Sequence, residues 1–189
     1  MCKFLKGRVL KTIRLRSLLN LPIDIRHTAK IVYLVRDPRE IVNSRISGTS
    51  EFLWDREKDF GKMKEVCNDW IKFIEYRDHY DENILIIRYE DFVYQPILFA
   101  RKVYKFVGLS IHTEVKKYLE LVKKKKRSDL GKWKHGLKWS EIERVQKGCS
   151  GVMSVFGYKE VFEENVFEDK SKFEKVQTIE NLGCLDCKY

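Results

Sequence analysis

The chain has 189 residues, enough for one domain with a core of its own and too few to argue for two. Hydrophobic residues make up 43% and aromatics 13%, and apolar periodicity runs between the charged positions, so a charged fraction of 35% does not mean disorder. Lys and Arg number 38 against 28 Asp and Glu, and the net charge of +10 favours anionic partners without choosing among phosphate, sulfate, nucleic acid, acidic glycan and anionic membrane.

Arg8-Val-Leu-Lys-Thr-Ile-Arg14 alternates apolar and polar and predicts a short strand. Before it and around it, Met1 to Leu21 mixes Leu, Ile and Val with Lys and Arg, without the apolar centre of a signal peptide. No run anywhere reaches membrane-spanning length. Leu21-Pro22-Ile23-Asp24 reads as a turn. Lys30-Ile-Val-Tyr-Leu-Val35 is continuously apolar and predicts a strand buried on both faces, as in a parallel sheet. Asp37 then caps a helix from Pro38 to about Ser47, because a capping carboxylate and a proline without N–H both suit a helix start.

A longer helix spans about Lys58 to Tyr80, with Met63, Val66, Cys67, Trp70, Phe73 and Ile74 on one apolar stripe and Arg77 at its end. The next strand, Ile84 to Tyr89, leads into Glu90-Asp91 and a helix from about Gln95 to Val107, stopped by Gly108. Val115, Tyr118, Leu119 and Val122 mark another helix, which runs into Lys123-Lys-Lys-Lys-Arg127 and a loop to Trp139. Ser140 and Glu143 match a capping box opening the last helix, whose inner face is Ile142, Val145, Cys149, Val152 and Phe156 and whose stop is Gly157. From Phe162 the chain turns acidic and polar; residues 1–160 form the domain and 161–189 a tail. Strands alternating with helices predict an α/β fold with a parallel sheet flanked by helices.

Ligands of such sheets bind beyond the carboxyl ends of the strands. Three groups of polar residues follow strands here: Lys11 to Arg16, Arg36-Asp37-Pro38, and Arg88 to Asp91. Arg36 brings a forked donor suited to phosphate oxygens. Asp37, Ile41 and Ser44 share a helix face by their spacing, so Ser44 can join Arg36 around one anion near the positive helix end. The competing reading pairs Arg36 with Asp37 or Glu40 and leaves Ser44 in solvent. The Lys123–Arg127 run reads as a solvated helix end or an acidic-ligand contact, and Trp133 and Trp139 as a lid over the core or a stacking platform. Of five cysteines, Cys184 and Cys187 form one Cys-x-x-Cys, too little for a zinc site, and the redox compartment stays open.

Lys30 to Arg45 closely resembles the 3′-phosphate-binding segment of carbohydrate sulfotransferases, particularly those acting on the 6-hydroxyl of galactose or N-acetylglucosamine. Three further stretches agree in order: Val9 to Arg16, Ile87-Arg-Tyr-Glu-Asp-Phe92 with Gln95-Pro96, and Trp133 through Tyr158. The resemblance implies a P-loop-kinase-like fold, incomplete at the N-terminus, and 3′-phosphoadenosine 5′-phosphosulfate as co-substrate with no metal. It implies a glycan or glycoprotein acceptor and a lumenal Golgi location through a membrane anchor that this sequence lacks. It places the donor 3′-phosphate on Arg36 and Ser44 and the adenine near Tyr89.

The family's Gly/Ser-rich loop for the 5′-phosphosulfate has no counterpart here, since the first 30 residues hold one glycine, Gly7. The resemblance therefore implies a fragment or a degenerate relative, not expected to be fully active alone. The catalytic base is unassigned, because Ile13 stands where cytosolic relatives have histidine after Lys-Thr. His27, His79, His112 and His135 have no supporting motif, Lys11 and Arg14 are candidates only for offsetting sulfate charge, and Glu90 and Asp91 only for supporting roles. A non-catalytic module for acidic glycans is the alternative. Nucleic-acid binding lacks any motif, and basic charge alone does not carry it.

Overall fold

The computed structural model describes residues 7–12, 21–47, 56–77, 83–126 and 130–163. In chain order they form α1 (Ile23–Thr28), β1 (Ile31–Val35), α2 (Pro38–Ile46), α3 (Arg56–Arg77), β2 (Ile84–Arg88), α4 (Tyr89–Tyr94), α5 (Pro96–Phe106), α6 (Thr113–Lys126), α7 (Trp133–Gly136) and α8 (Trp139–Val155). The sheet they contain is a parallel pair, with Ile31 opposite Ile84 and Val35 opposite Arg88. This is the α/β arrangement expected: a small parallel sheet flanked by helices. No helix among the described residues is long and apolar enough to cross a membrane.

The main core lies between α2, α3 and α8. Met63 and Cys67 of α3 and Ile142, Val145, Cys149 and Val152 of α8 are buried, as both periodicities predict, and Val42 of α2 and Met153 of α8 join them. Burying such a side chain fully is worth about 2 kcal/mol, so this seam dominates the favourable balance. A disulfide joins Cys67 to Cys149 across it, and the α8 backbone departs from helical geometry at Cys149 itself (φ −122°, ψ 15°). Tyr33 of β1 stacks on Phe73 of α3 with ring centroids 3.8 Å apart, fixing the helix to the sheet.

Several expectations need correction. Residues 7–12 carry no strand, and Val9 is 98% exposed; without a neighbouring strand to pair with or a surface to bury against, alternation alone cannot hold one. Residues 13–20 lie outside those described, so the rest of that strand does too. Among the described residues β1 is covered on one face, since Val32 and Leu34 are exposed while Tyr33 and Val35 pack inward. Leu21–Asp24 is the entry to α1, not a plain turn, and the loop before Trp139 contains α7. α8 starts at Trp139, where the backbone N–H of Lys138 donates to Glu141 Oε2 at 2.9 Å; Ser140 is exposed. Trp139 packs against the core, and that contact draws the helix start ahead of the Ser140–Glu143 pattern.

Gly157 ends α8 with φ +67°, a left-handed conformation that lets the Tyr158 N–H return to the Met153 carbonyl at 2.8 Å. That turn sends the Tyr158 side chain into the core. Val161 packs on the same core, and its N–H donates to Gln146 Oε1 at 3.0 Å. Residues 164–189, including Cys184 and Cys187, lie outside those described.

Candidate functional site: a polar pocket at the carboxyl edge of the sheet

Parallel pairing places Val35 beside Arg88, so the next residue of each strand, Arg36 and Tyr89, emerges at the same edge. They meet there. The Arg36 guanidinium lies 4.7 Å from the centre of the Tyr89 ring, a cation–π contact. α2 rises from this edge, and a pocket of about 340 Å³ opens between them, lined by Arg36, Glu40, Asn43, Ser44, Ser47, Tyr89 and Lys132. Three residues singled out from sequence, Arg36, Ser44 and Tyr89, thus share one cavity.

The competing pairing is also present. Arg36 Nη2 lies 3.3 Å from Glu40 Oε2, with the arginine side chain 28% exposed and the glutamate 3%. Burial pushes the Glu40 carboxyl above its ordinary value; the Arg36 charge opposes this, Asp37 adds to it, and backbone N–H groups of Gly131 and Trp133 oppose it by donating to the carboxylate. Arg36 Nε, Glu40 Oε1 and Asn43 Oδ1 are buried without a hydrogen-bond partner. A cation with an unused donor, two hydroxyls and a second cation make a pocket fitted to an anion bearing several oxygens.

Beneath the pocket, α2 is locked by a buried polar network. Asp37 caps α2, accepting the Arg39 N–H at 2.9 Å, and its two oxygens receive Arg39 Nε at 3.0 Å and Nη2 at 2.7 Å. The remaining arm of Arg39 reaches Gln146 Oε1 at 2.9 Å and the Lys159 carbonyl at 3.0 Å, and its guanidinium lies 4.1 Å from the Trp133 ring centre. Glu90 accepts from the Asp37 N–H and from the Tyr158 hydroxyl, both at 2.9 Å. Burial raises the Glu90 carboxyl despite those donors. Arg88 donates to the Phe156 carbonyl at 2.7 Å, pairs with Asp91 at 3.3 Å, and lies 4.9 Å from the Tyr158 ring.

Asp37 points into its capping bond and the Arg39 fork, so it stands on the network side; the helix face that meets the pocket is Glu40, Asn43, Ser44 and Ser47. Glu90 and Asp91 do stand behind the strand ends as supports. Trp133 is a core residue beneath Arg39, and Trp139 packs on the core, so neither offers a free stacking platform. Lys11 is exposed and away from the pocket lining; Arg14, Arg16 and the side chains of Lys123–Arg127, His27 and His79 are outside those described. His112 and His135 are exposed and do not line the pocket. Among the described residues no cluster of three or more His, Cys, Asp or Glu is placed to hold a metal.

Sequence reasoning missed Lys132, Asn43 and Arg39. Asn43 and Ser47 follow Glu40 at helical spacing, a signal available once Arg36 is taken as the reference residue in place of Asp37. Lys132 had no local signal. It reaches the pocket because α7 docks on α2 so closely that a Cβ on Gly136 would overlap the Asn43 carboxamide.

The chain is similar in sequence to several known proteins. A search of curated proteins finds the chain 26% identical to carbohydrate sulfotransferase 6 of Homo sapiens over 87% of the chain and 51% of that protein. It is 27% identical to carbohydrate sulfotransferase 5 of Mus musculus, over 86% of the chain and 51% of the relative. Carbohydrate sulfotransferase 3 of Tetronarce californica is 28% identical over 86% of the chain and 44% of its own length. The chain thus spans about half the length of these relatives. No solved structure matches it. The sulfotransferase family model matches residues 18–114, just over half of the chain, and includes β1, α2 and the whole strand-edge junction; the chain belongs to the sulfotransferase family.

Proposed function

We propose that the pocket holds the 3′-phosphate of 3′-phosphoadenosine 5′-phosphosulfate, and that the whole protein transfers its sulfuryl group to a sugar hydroxyl of a glycan. The observation that carries this is the meeting of Arg36, Ser44 and Tyr89, from two separate strand-edge segments, in one cavity. Arg36 supplies charge and a forked donor, Ser44 and Ser47 supply hydroxyls, and Lys132 adds a second cation to the lining. The Tyr89 ring gives the nucleoside an aromatic face beside the phosphate site.

The names of the relatives support a carbohydrate acceptor, with the 6-hydroxyl of galactose or N-acetylglucosamine as the preferred position by resemblance. The Cys67–Cys149 disulfide supports folding in an oxidising compartment, consistent with a lumenal Golgi enzyme. The fold is P-loop-kinase-like on this reading. The donor supplies the sulfuryl group. These residues contribute binding and orientation, which fix where that group points.

Calorimetric titration with adenosine 3′,5′-bisphosphate tests the site. Arg36→Ala weakens binding by about a hundredfold, the loss expected when charge-assisted bonds worth about 3 kcal/mol go, while Ser44→Ala costs about fivefold. Thermal unfolding of each variant checks that the fold survives. Unchanged affinity in a folded Arg36→Ala variant contradicts the assignment and favours a glycan-binding module without donor chemistry.

A further inference from the structure

Glu40 is an unexpected lining for an anion pocket. It is 2% exposed, it faces the same cavity as Arg36 and Lys132, and one of its oxygens is buried without a partner. Its other contacts run in two directions. Toward the sheet it holds Arg36 Nη2 at 3.3 Å; toward α7 it receives the backbone N–H groups of Gly131 and Trp133, the residues on either side of Lys132. One carboxylate therefore touches both Arg36 and the segment that carries Lys132, the two cations of the pocket lining. Gly136 approaches Asn43 closely, one helical turn further on, so α7 is held directly against α2.

We propose that Glu40 is a positioning residue of this pocket, competing with a bound anion for Arg36 and carrying the Lys132 wall through Gly131 and Trp133. The inference rests on the reading of the pocket as an anion site. An ionised Glu40 both occupies the Arg36 fork and repels the ligand; a neutral Glu40 releases the fork and still accepts from the two backbone donors. The charged and titratable groups facing it are Arg36 at the end of β1, Asp37 at the start of α2, Tyr89 of α4 and Lys132 before α7; Asp37 is committed to Arg39. Because burial raises the Glu40 carboxyl, ionisation falls above the ordinary carboxylate range. Anion affinity is therefore highest below that point and falls as pH rises through it, and by linkage a bound anion raises the Glu40 carboxyl further.

Inorganic sulfate is the probe, since its charge is constant from the ordinary carboxylate range upward, the interval over which Glu40 titrates. Binding to the wild-type chain weakens about tenfold across that interval, equal to one unit of displacement of a single coupled group. Glu40→Gln keeps the backbone contacts, binds about tenfold tighter than wild type at the upper pH, and shows no pH dependence. Glu40→Ala loses the wall and binds more weakly than Glu40→Gln at every pH. Without ligand, the Gly131 and Trp133 amide resonances titrate together in wild type and not in Glu40→Gln.

Arg36-dependent sulfate binding that is independent of pH, or a Glu40→Gln variant with the wild-type pH slope, overturns the role given to Glu40 and leaves the pocket assignment standing. Absence of binding to the folded wild-type chain at any pH, for sulfate and for adenosine 3′,5′-bisphosphate alike, overturns the anion reading and this inference with it.

Discussion

Replacing Cys67 and Cys149 together by serine lowers the stability of the fold by about 4 kcal/mol, the loop-closure cost of an 82-residue separation. For a chain of this size that is a fall in melting temperature of roughly 10 °C. The bond ties the middle of α3 to the middle of α8, and both sulfurs sit in the buried seam between those helices. Losing it releases the two largest packing partners of the molecule from one another in the unfolded chain, and leaves two hydroxyls in an apolar site. The comparison is made by thermal unfolding of the double variant against wild type, with and without reductant. Reductant should bring the wild type to the stability of the variant, apart from the hydroxyl penalty, and should not affect the variant. Equal stability of oxidised wild type and variant would show that the bridge does not form.

Arg39→Ala has an effect of similar size for a different reason. Arg39 is 4% exposed and its guanidinium satisfies Asp37, Gln146 and the Lys159 carbonyl while lying against Trp133. Removing it strands the Asp37 carboxylate, which is 7% exposed, and opens the link between α2 and the segment after α8. Breaking one partner of a buried pair costs about 3 to 5 kcal/mol, because the remaining charge stays uncompensated. Arg39→Lys restores charge but not the fork, so it recovers about half of the loss. The effect extends to the pocket, since Asp37 is adjacent to Arg36 and its N–H is held by Glu90. Denaturant unfolding of both variants checks the order wild type, Arg39→Lys, Arg39→Ala; a fully stable alanine variant would remove the network from the account.

Much of this site was legible in the chain because it is built from local signals. Arg36-Asp37-Pro38 marks a strand end, a cap and a helix start in consecutive residues, and each element lies where those signals put it. The inner face of α8 was legible from its 3.6-residue period. What escaped depends on partners remote in sequence. The Cys67–Cys149 pair requires knowing that α3 lies along α8. The pocket face of α2 was displaced by one residue because the Arg39 fork draws Asp37 inward, an interaction that needs Gln146 and Lys159 as supports. Lys132 reaches the cavity only through the docking of α7. The alternation of residues 8–14 predicts a strand, yet residues 7–12 lack one, because a strand is made by its neighbours as well as by its own pattern.

On the proposed assignment the cavity between Arg36, Ser44, Tyr89 and Lys132 recognises a phosphate on the 3′ position of a nucleoside. The most direct test of that assignment is calorimetric titration of the wild-type chain with adenosine 3′,5′-bisphosphate and, in parallel, with adenosine 5′-monophosphate, which differs by that one group. The bisphosphate should bind saturably and at least about a hundredfold tighter than the monophosphate, the discrimination expected from about 3 kcal/mol of charge-assisted hydrogen bonding. Equal affinity for the two nucleotides, with the chain folded, would contradict it.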